Sequence, residues 1–462
     1  MKLEFDFEKI KNSENATIIK NELYKFLNYY FDNGRPKNFI KYVDDLFKVS
    51  SKILQAYNLN ELLTYIPNLY QFFYTITLNN YYLDSQKNIC NYLLIPFSKV
   101  LLELLSQNNF KKITYKVEEN HYLVICRHAT TSGMYAPGTV IYSITSELIK
   151  KKKKVVLVSL GQVDSKFLAL KKVNANFTIL TPQKSTTSLK QLENLIHICK
   201  VLKPIKIITE MPVNIVTALY YINISSKILY WSPGFTEVPW YDKVMLIPEL
   251  SNKNKLKEKR NILIPKSINF DLLNPKIDIE AINDFKNKYN FTNKNSILGT
   301  FARYEKITIK FLEIISYLLM ENHHRKIILA GSNDNTDIKK FLKKFVHNKQ
   351  AIILGESNVH ILGHACDVFV DTIPFPCGSS ALEMMAKGKP VIGIESKNLA
   401  DYKKSRLQNL MVKNKFLLND ILTKLENNKN FYTKMSMDSI SIARNWDNSS
   451  KLVKIIEKMN NF

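Results

Sequence analysis

A glycine and two serines stand where an apolar strand meets a helix, a place where proteins bind phosphate groups. The run at residues 368–370 leads through a proline-rich loop to Gly378, Ser379 and Ser380, and a helical pattern starts just after the serines. Serines there can cap free backbone N–H groups, and those N–H groups and the helix dipole also suit a diphosphate. Glu383, in the predicted first turn, can accept hydrogen bonds from two ribose hydroxyls. The alternative is an ordinary capped helix whose glutamate only complements the dipole.

Two cations and a histidine follow other predicted strands in the second half of the chain. Arg303 and Lys306 lie in a loop between a strand and a helix, where they can neutralise a leaving diphosphate. Either residue alone could instead be an ordinary surface cation, because basic residues are common in this chain. His360 follows a strand and can stack on a base or a sugar, although a lone histidine is often structural. His364 lies four residues further on, but two histidines make only a weak case for zinc, and no metal is expected.

The first half of the chain has a similar loop. The strand predicted at residues 122–126 runs into Arg127, His128 and a hydroxyl-rich stretch that holds two of the twelve glycines. His128 can act as a general base or contact an acceptor molecule. The loop at residues 231–240 carries aromatic side chains that suit sugar stacking, or else it is simply a packed loop.

These loops need a scaffold, and the chain predicts one of alternating strands and helices. Strands are predicted at residues 122–126, 155–159, 205–209, 228–231, 244–247, 296–300, 326–330, 351–354, 368–371 and 390–393. Helices are predicted at residues 140–150, 188–202, 309–320 and 337–345. This alternation is typical of βαβ units on parallel sheets, which bind ligands at the carboxyl ends of their strands. We therefore predict an α/β protein with two Rossmann-like domains that face a cleft. An all-α region, with apolar residues at helical spacing, precedes them.

Composition excludes several classes of protein. The 462 residues are 45% hydrophobic and 23% charged, which is typical of a globular chain and excludes collagen-like, disordered and disulfide-scaffold classes. Five scattered cysteines favour reduced thiols, the first residues do not resemble a signal peptide, and no apolar run approaches the roughly 18 residues of a membrane span. The expected location is therefore the cytoplasm, with any membrane contact peripheral.

The charge of the chain is its one extreme property. Its 66 Lys and Arg residues exceed its 41 Asp and Glu residues, so the formal net charge is +25. Such a charge favours nucleic acid, anionic membranes or phosphorylated ligands, but the codon bias of an AT-rich genome produces the same composition. The lysine-rich runs at residues 150–154 and 253–260 are candidates for contact with the inner face of a membrane.

The two α/β halves, with Gly-Ser-Ser and a glutamate near the end of the second, resemble the GT-B glycosyltransferases. Residues 378–383, followed by Ala-Lys-Gly-Lys-Pro-Val at residues 386–391, are similar to the nucleotide-sugar signature of these enzymes. The closest resemblance is to inverting O-GlcNAc transferases and to the bacterial cytoplasmic N-glycosyltransferases that modify adhesins. The resemblance assigns diphosphate binding to Lys306, the roles of two threonines to Ser379 and Ser380, ribose binding to Glu383, and packing on the base to His360.

The resemblance implies an enzyme that transfers a sugar from a nucleotide donor, expected to be a UDP-sugar, to a protein or glycan acceptor. It implies no cofactor besides the donor, no metal and no nucleic-acid partner. It divides the chain into a helical domain (1–117), an acceptor-side Rossmann-like domain (118–255) and a nucleotide-sugar-binding Rossmann-like domain with closing helices (256–462).

The sequence departs from the GT-B pattern at two places. Many retaining GT-B enzymes carry two glutamates separated by seven residues, and Phe375 stands where the first would lie, which favours an inverting mechanism. Ser232-Pro233 stands where the group has His-Pro, which weakens the case for protein glycosylation. Three alternatives therefore stay open: a retaining GT-B enzyme of surface-polysaccharide synthesis, a nucleotide-sugar 2-epimerase, and a non-catalytic basic protein that binds nucleic acid.

Overall fold

The structure is a computed structural model of the whole chain. It describes residues 54–55, 57–79, 89–131, 136–183, 186–211, 213–232, 238, 240–246, 261–265, 267–302, 306–331, 336–345, 350–355, 357–373, 377–395 and 411–459. Arg303, Phe375, Pro233 and the basic run at residues 253–260 lie outside the described residues, and so does all of the predicted helical region before residue 54.

The described residues contain thirteen strands, fifteen α-helices and one short π-helix (Cys90–Leu94). The strands are β1 (Glu118–Cys126), β2 (Lys154–Ser159), β3 (Phe177–Leu180), β4 (Pro204–Thr209), β5 (Lys227–Ser232), β6 (Lys243–Leu246), β7 (Asn261–Leu263), β8 (Ser296–Ala302), β9 (Arg325–Gly331), β10 (Ala351–Leu354), β11 (Val368–Val370), β12 (Val391–Ile394) and β13 (Met411–Val412). The helices are α1 (Leu59–Asn79), α2 (Ile95–Gln107), α3 (Ala136–Lys150), α4 (Ser165–Lys172), α5 (Ser188–Leu202), α6 (Ile215–Ile222), α7 (Phe270–Leu273), α8 (Ile279–Lys288), α9 (Ile309–Glu321), α10 (Thr336–Phe345), α11 (Val359–Ala365), α12 (Ser379–Ala386), α13 (Lys415–Asn427), α14 (Lys429–Arg444) and α15 (Ser449–Lys458).

The strands form two parallel sheets, as predicted. The first has the order β3-β2-β1-β4-β5-β6-β7 and the second the order β10-β9-β8-β11-β12-β13. Continuous apolar runs such as residues 155–158 are buried because helices cover both faces of such sheets. The fold prediction of two Rossmann-like domains with a helical region before them is confirmed, and for the helical region this concerns α1 and α2.

In each sheet there is one pair of neighbouring strands from which successive strands are added in opposite directions. In the first sheet this pair is β1 and β4, and in the second it is β8 and β11. A crevice opens there at the carboxyl ends of the strands, and α/β proteins use it for ligands. The loops after these four strands are therefore the expected location of a ligand site.

The helices α1 and α2 pack on the first domain rather than standing apart. Leu63 and Ile66 of α1 share one buried cluster with Leu195 of α5, and Phe97 of α2 meets Trp240 edge to face at 5.8 Å. These contacts bury apolar faces of all three helices, which stabilises the N-terminal region through packing with the sheet domain.

The strand β7 (Asn261–Leu263) lies beyond the predicted boundary at residue 255 and pairs with β6 in the first sheet. The C-terminal helix α15 also leaves the second domain and packs against α3 of the first. Lys206, fully buried in β4, donates hydrogen bonds to the carbonyl oxygens of Ile456 and Glu457 at the end of α15. A cation at a helix C-terminus satisfies carbonyl groups that have no partner within the helix.

Lysines of the run at residues 150–154 fasten the same helix end. Lys151 forms an ion pair with Glu457, and Lys153 lies 3.6 Å from the same carboxylate. Two of the lysines considered for membrane contact are thus engaged with α15. None of the described helices is long and apolar enough to cross a membrane.

Two chain segments that connect the domains also bond to each other. The segment before α7 and the segment between α14 and α15 form an isolated antiparallel bridge at Ser267 and Asp447. Ile268 N donates to Trp446 O at 3.0 Å, and Trp446 is 2% exposed.

Candidate functional site

The N-terminus of α12 lies at the carboxyl end of β11 and carries no side-chain cap. Gly378 is the N-cap residue, with φ 58°, and Ser379 is the first helical residue. The prediction that serine caps this helix is therefore wrong: the left-handed backbone at Gly378, which suits glycine, starts the helix before the serines. By contrast, Asp164 caps α4 and Thr308 caps α9 through their side chains. Ser380 N donates to Cys377 O at 3.3 Å, and the N-cap residue offers no side-chain acceptor, so the first turn of α12 presents N–H groups that can bind an anion.

Glu383 is the fifth residue of α12, so it lies in the second turn and not in the predicted first turn. Its side chain is buried, with 8% exposed. Burial raises the pKa of this carboxyl, and the nearby Lys387 ammonium opposes the rise. Lys387 Nζ donates to Glu383 O and, at 2.6 Å, to Leu273 O of α7. The carboxylate is therefore held near a cation and close to the segment that joins the domains.

Lys306 lies in the loop after β8, and two threonines tie this region to β11. Thr300 donates to Val370 O at 2.7 Å, and Thr308 donates to Ile373 O at 2.9 Å. The loop that carries Lys306 and the loop that leads to α12 are thus joined side by side at the crevice of the second sheet. Arg303, predicted to act with Lys306, lies outside the described residues.

Asp371, which directly follows β11, is a buried acid that no sequence pattern singles out as part of a site. It is 3% exposed, and its Oδ1 accepts the N–H groups of Thr372 at 2.9 Å and Cys377 at 2.6 Å. Its Oδ2 is buried and has no hydrogen bond within the described structure. Burial raises the pKa of Asp371, and Lys306 is near enough to oppose that rise. Asp371 thus closes the loop that ends at Gly378 and adds a negative charge beside Lys306.

His360 is the second residue of α11, after the cap Asn358, and is 7% exposed. Its Nδ1 is buried without a hydrogen-bond partner in the described residues. Burial, together with the nearby cations Lys387 and Lys166, lowers the pKa of His360 to about 3. Since Lys166 belongs to α4 of the first domain, the neutral imidazole lies at the junction of the two domains.

His128 follows β1 at the crevice of the first sheet. Its Nδ1 accepts the N–H of Gln162 at 3.2 Å, and its pKa is lowered by burial and by Arg127. Glu210, which directly follows β4, is 7% exposed, and its Oε1 accepts Arg127 N at 2.6 Å. No sequence pattern singles out Glu210 either, since its only signal is the position of an acid directly after a predicted strand.

The aromatic loop after β5 is used for packing where the structure describes it. Trp231 and Trp240 are 6% and 1% exposed, and Trp240 contacts Phe97. These two rings therefore belong to the core rather than to a sugar-stacking surface, while residues 233–237 lie outside the described residues.

The described part of the chain holds no group of three or more His, Cys, Asp or Glu residues that could bind a metal ion. All five cysteines are free thiols, and Cys126, Cys199, Cys366 and Cys377 are buried. The pair His360 and His364 shares α11, where burial also lowers the pKa of His364, to about 4.

No protein-family model matches the sequence, and a comparison with curated proteins finds no match either. Solved structures do resemble the fold. A glycosyltransferase from Rickettsia africae is 16% identical with a TM-score of 0.57, over 74% of this chain and 97% of its own. HepE (Alr3699) of Anabaena, solved with UDP and glucose, is 13% identical with a TM-score of 0.55, over 73% of this chain and 99% of its own.

A third similar structure extends over the helical region as well. A mutant of the O-GlcNAc transferase of Thermobaculum terrenum is 13% identical with a TM-score of 0.53, over 98% of this chain and 94% of its own. At such identities the likeness concerns the fold. The chain has the GT-B fold, with two Rossmann-like domains and the candidate site at the carboxyl ends of their strands.

Proposed function

We propose that this protein is a glycosyltransferase that transfers a sugar from a nucleoside-diphosphate donor, a UDP-sugar, to a protein or glycan acceptor. The observation that carries the proposal is the uncapped N-terminus of α12, with buried Glu383 one turn further on and Lys306 on the adjacent loop. A diphosphate needs backbone donors and a cation, and a ribose needs a carboxylate. These groups lie at the carboxyl ends of β8 and β11 in the second sheet. Similar structures that hold UDP support the choice of nucleotide.

In the proposed mechanism, the second domain stabilises the leaving group. As the acceptor atom bonds to the anomeric carbon and gives up its proton to a base, the bond from the sugar to the diphosphate breaks and negative charge grows on the diphosphate oxygens. The N–H groups of α12 and the ammonium of Lys306 then interact more strongly with the transition state than with the bound donor. Glu383 accepts hydrogen bonds from the ribose, and the neutral His360 packs on the base. Arg303 is proposed as a second cation on the sequence alone.

We further propose an inverting, metal-independent reaction. Phe375 replaces the first glutamate of the retaining pattern, and the fixed positive groups above supply the charge that a metal would provide. We propose a cytoplasmic location. We also propose that the run at residues 150–154 contributes little to membrane binding, because Lys151 and Lys153 face Glu457.

Calorimetric titration of the full chain with UDP, GDP and CMP tests the donor assignment. We expect UDP to bind best and Glu383→Gln to weaken UDP binding about tenfold, since a hydrogen bond to a charged group contributes about 1.5–3 kcal/mol. Glu280→Gln is the matched control, because Glu280 is an exposed glutamate in the first turn of α8. Failure of the wild-type protein to bind any nucleotide contradicts the proposal, and equal affinity of the Glu383 variant contradicts the assignment of that residue.

A further inference from the structure

The end of α12 fixes the backbone of Lys387. This lysine is the C-cap residue of the helix, and Gly388 follows it with φ 73°, a left-handed backbone that suits glycine. Lys389 N then donates to Met384 O at 3.0 Å, which satisfies one of the last carbonyl groups of the helix. The side chain of Lys387 therefore starts from a backbone that the helix end holds in place.

The ammonium of Lys387 lies where three helices meet. Its Nζ donates to Leu273 O of α7 at 2.6 Å and to Glu383 O of its own helix at 3.1 Å. A Cβ atom on Gly363 of α11 would lie 2.9 Å from Lys387 Cδ, so the aliphatic part of the side chain passes close against that helix. These contacts give the ammonium group a defined position beside α12.

The Glu383 carboxylate depends on this ammonium for its charge. Glu383 lies four residues before Lys387, a spacing that brings two side chains to the same face of a helix. Glu383 is 8% exposed, and its carboxylate has no hydrogen bond or ion pair with another described residue. A buried carboxylate without partners tends to take up a proton, and a nearby cation opposes this tendency. For Glu383 the opposing cation is Lys387.

The pair of Glu383 and Lys387 is electrostatically separate from the other acids of this region. Among the described groups that shift the pKa of Lys387, Glu383 is the only acid. The other titratable groups that face Lys387 are Lys389, Lys166 of α4, and the neutral histidines His360 and His364 of α11. Lys389 itself faces Asp367, the acid directly before β11. No neighbouring cation is therefore placed to take over the effect of Lys387 on Glu383.

We propose that Lys387 is a positioning residue of the donor site, which keeps the Glu383 carboxylate ionised so that it accepts the ribose hydroxyls. An ionised acceptor forms shorter and stronger hydrogen bonds than a neutral one, so loss of the charge weakens binding of the donor. The role of Glu383 towards ribose rests on the proposed function. The dependence of its charge on Lys387 rests on the structure alone.

Carbon NMR of the full-length protein, labelled at the side-chain carboxyl of glutamate, tests this dependence without a ligand. Glu383→Gln identifies the signal of Glu383 by its loss. We expect the pH midpoint of that signal to rise by about one pH unit or more in Lys387→Met, since a nearby opposite charge lowers a carboxyl pKa by about 1–3. Lys387→Arg keeps the charge and should keep a midpoint close to that of the wild type.

Lys389→Met is the matched control, because Lys389 is also half-buried near the end of α12 but faces Asp367. It should change the Glu383 midpoint much less than Lys387→Met does. If Lys387→Met does not fold, Lys387→Gln, which keeps an N–H donor for Leu273 O, takes its place. Equal midpoints in the wild type and in the folded, uncharged Lys387 variant would overturn the proposal.

Calorimetric titration with UDP at several pH values tests the consequence for the donor. Because only the ionised fraction of Glu383 is competent, we expect Lys387→Met to bind UDP up to about tenfold more weakly at the wild-type midpoint and to recover as the pH rises. In a Glu383→Gln background, loss of Lys387 should have little further effect. A loss of the same size at every pH indicates a purely structural role and contradicts the proposal. If the wild type binds no nucleotide, the proposed function fails, while the NMR result still decides the dependence.

Discussion

Each of the two sheets has, at its crevice, a buried acid that accepts backbone N–H groups, but the two acids fix different parts of the chain. Glu210 follows β4 and Asp371 follows β11, and these strands occupy equivalent places in the two sheets. Both acids are buried and accept backbone N–H groups. Glu210 reaches across to the loop after β1, whereas Asp371 bonds within its own loop, to Thr372 and Cys377.

This difference gives the two halves of the cleft different chemistry. In the first half, the acid fixes the backbone that carries a neutral histidine. In the second half, the acid closes the loop before Gly378, so that the N-terminus of α12 and Lys306 lie together as positive groups. The comparison indicates that the second half suits an anion and the first half a neutral group.

Among these predictions, the largest effect is expected from the loss of Lys306, the cation of the second half, and it should appear in turnover. We expect Lys306→Ala to lower turnover about 100-fold and donor affinity much less, because its charge acts most strongly on the departing diphosphate. Steady-state kinetics and UDP titration measure the two effects. Lys310→Ala is the control, since Lys310 is exposed at the start of α9. Equal turnover in the Lys306 and Lys310 variants would mean that the second half does not act through this cation.

The two buried acids should differ in their contributions to stability. Asp371→Ala leaves two buried N–H groups without an acceptor, whereas Glu210→Ala leaves one N–H group, which belongs to the exposed residue Arg127. At about 1–3 kcal/mol for each unsatisfied buried group, we expect a loss of about 3 kcal/mol in the free energy of unfolding for Asp371→Ala and a loss below about 1.5 kcal/mol for Glu210→Ala, because water can reach the Arg127 N–H. Urea denaturation measures both values. Asp371→Asn, which keeps an acceptor oxygen, should lose less than half as much as Asp371→Ala. A larger loss for Glu210→Ala would reverse the comparison.

Acid should destabilise the protein through the buried histidine of the second half. The folded pKa of His360 is about 3 and the unfolded pKa about 6.5, so the unfolded state binds more protons between these values and stability falls as the pH drops. At pH 5 this residue alone should reduce the free energy of unfolding by about 2 kcal/mol relative to pH 7. Urea denaturation of His360→Gln at both pH values should show a smaller decrease, with a remainder from His364. An unchanged pH dependence would refute the assignment.

The smallest effect is expected at the ion pairs of α15. Glu457→Gln removes the partner of Lys151 and Lys153, whose side chains are 25% and 20% exposed. Such pairs contribute about 0.5 kcal/mol, so only a slight decrease in stability is expected. The decrease should shrink further in 0.5 M salt. A loss above 2 kcal/mol would show that these pairs, and not the buried Lys206, hold the helix.

The sequence predicts the fold well because long apolar runs dominate it. The strand Ala351–Leu354 and the helix Ser188–Leu202 were predicted with the residues that the structure shows. The strands β3, β7 and β13 were missed, since runs of two to four residues with little burial have no clear pattern. The C-terminal helix was assigned to the second domain because its packing on α3 depends on contacts distant in sequence.

The site was predicted less completely, for reasons of local geometry. Lys306 and the N-terminus of α12 lie on adjacent loops because the strand order makes β8 and β11 neighbours. The start of α12 was misplaced because the backbone of Gly378 has a positive φ that sequence alone does not reveal. Glu210 and Asp371 were missed because an acid after a strand is usually exposed, and only the tertiary structure shows which N–H groups it meets.

The bond between Ile268 and Trp446 has a consequence for how the cleft can open. Helix α15 is fastened to the first domain by Lys206, while α14 packs on α12 of the second. Relative rotation of the domains must therefore bend the chain between α14 and α15 and also before α7. Because these two crossings are bonded to each other at Ile268 and Trp446, a rotation that bent one crossing would also strain the other. Buried Trp446, which is separate from the loops that carry the candidate chemistry, therefore lies where both connections between the domains would have to bend.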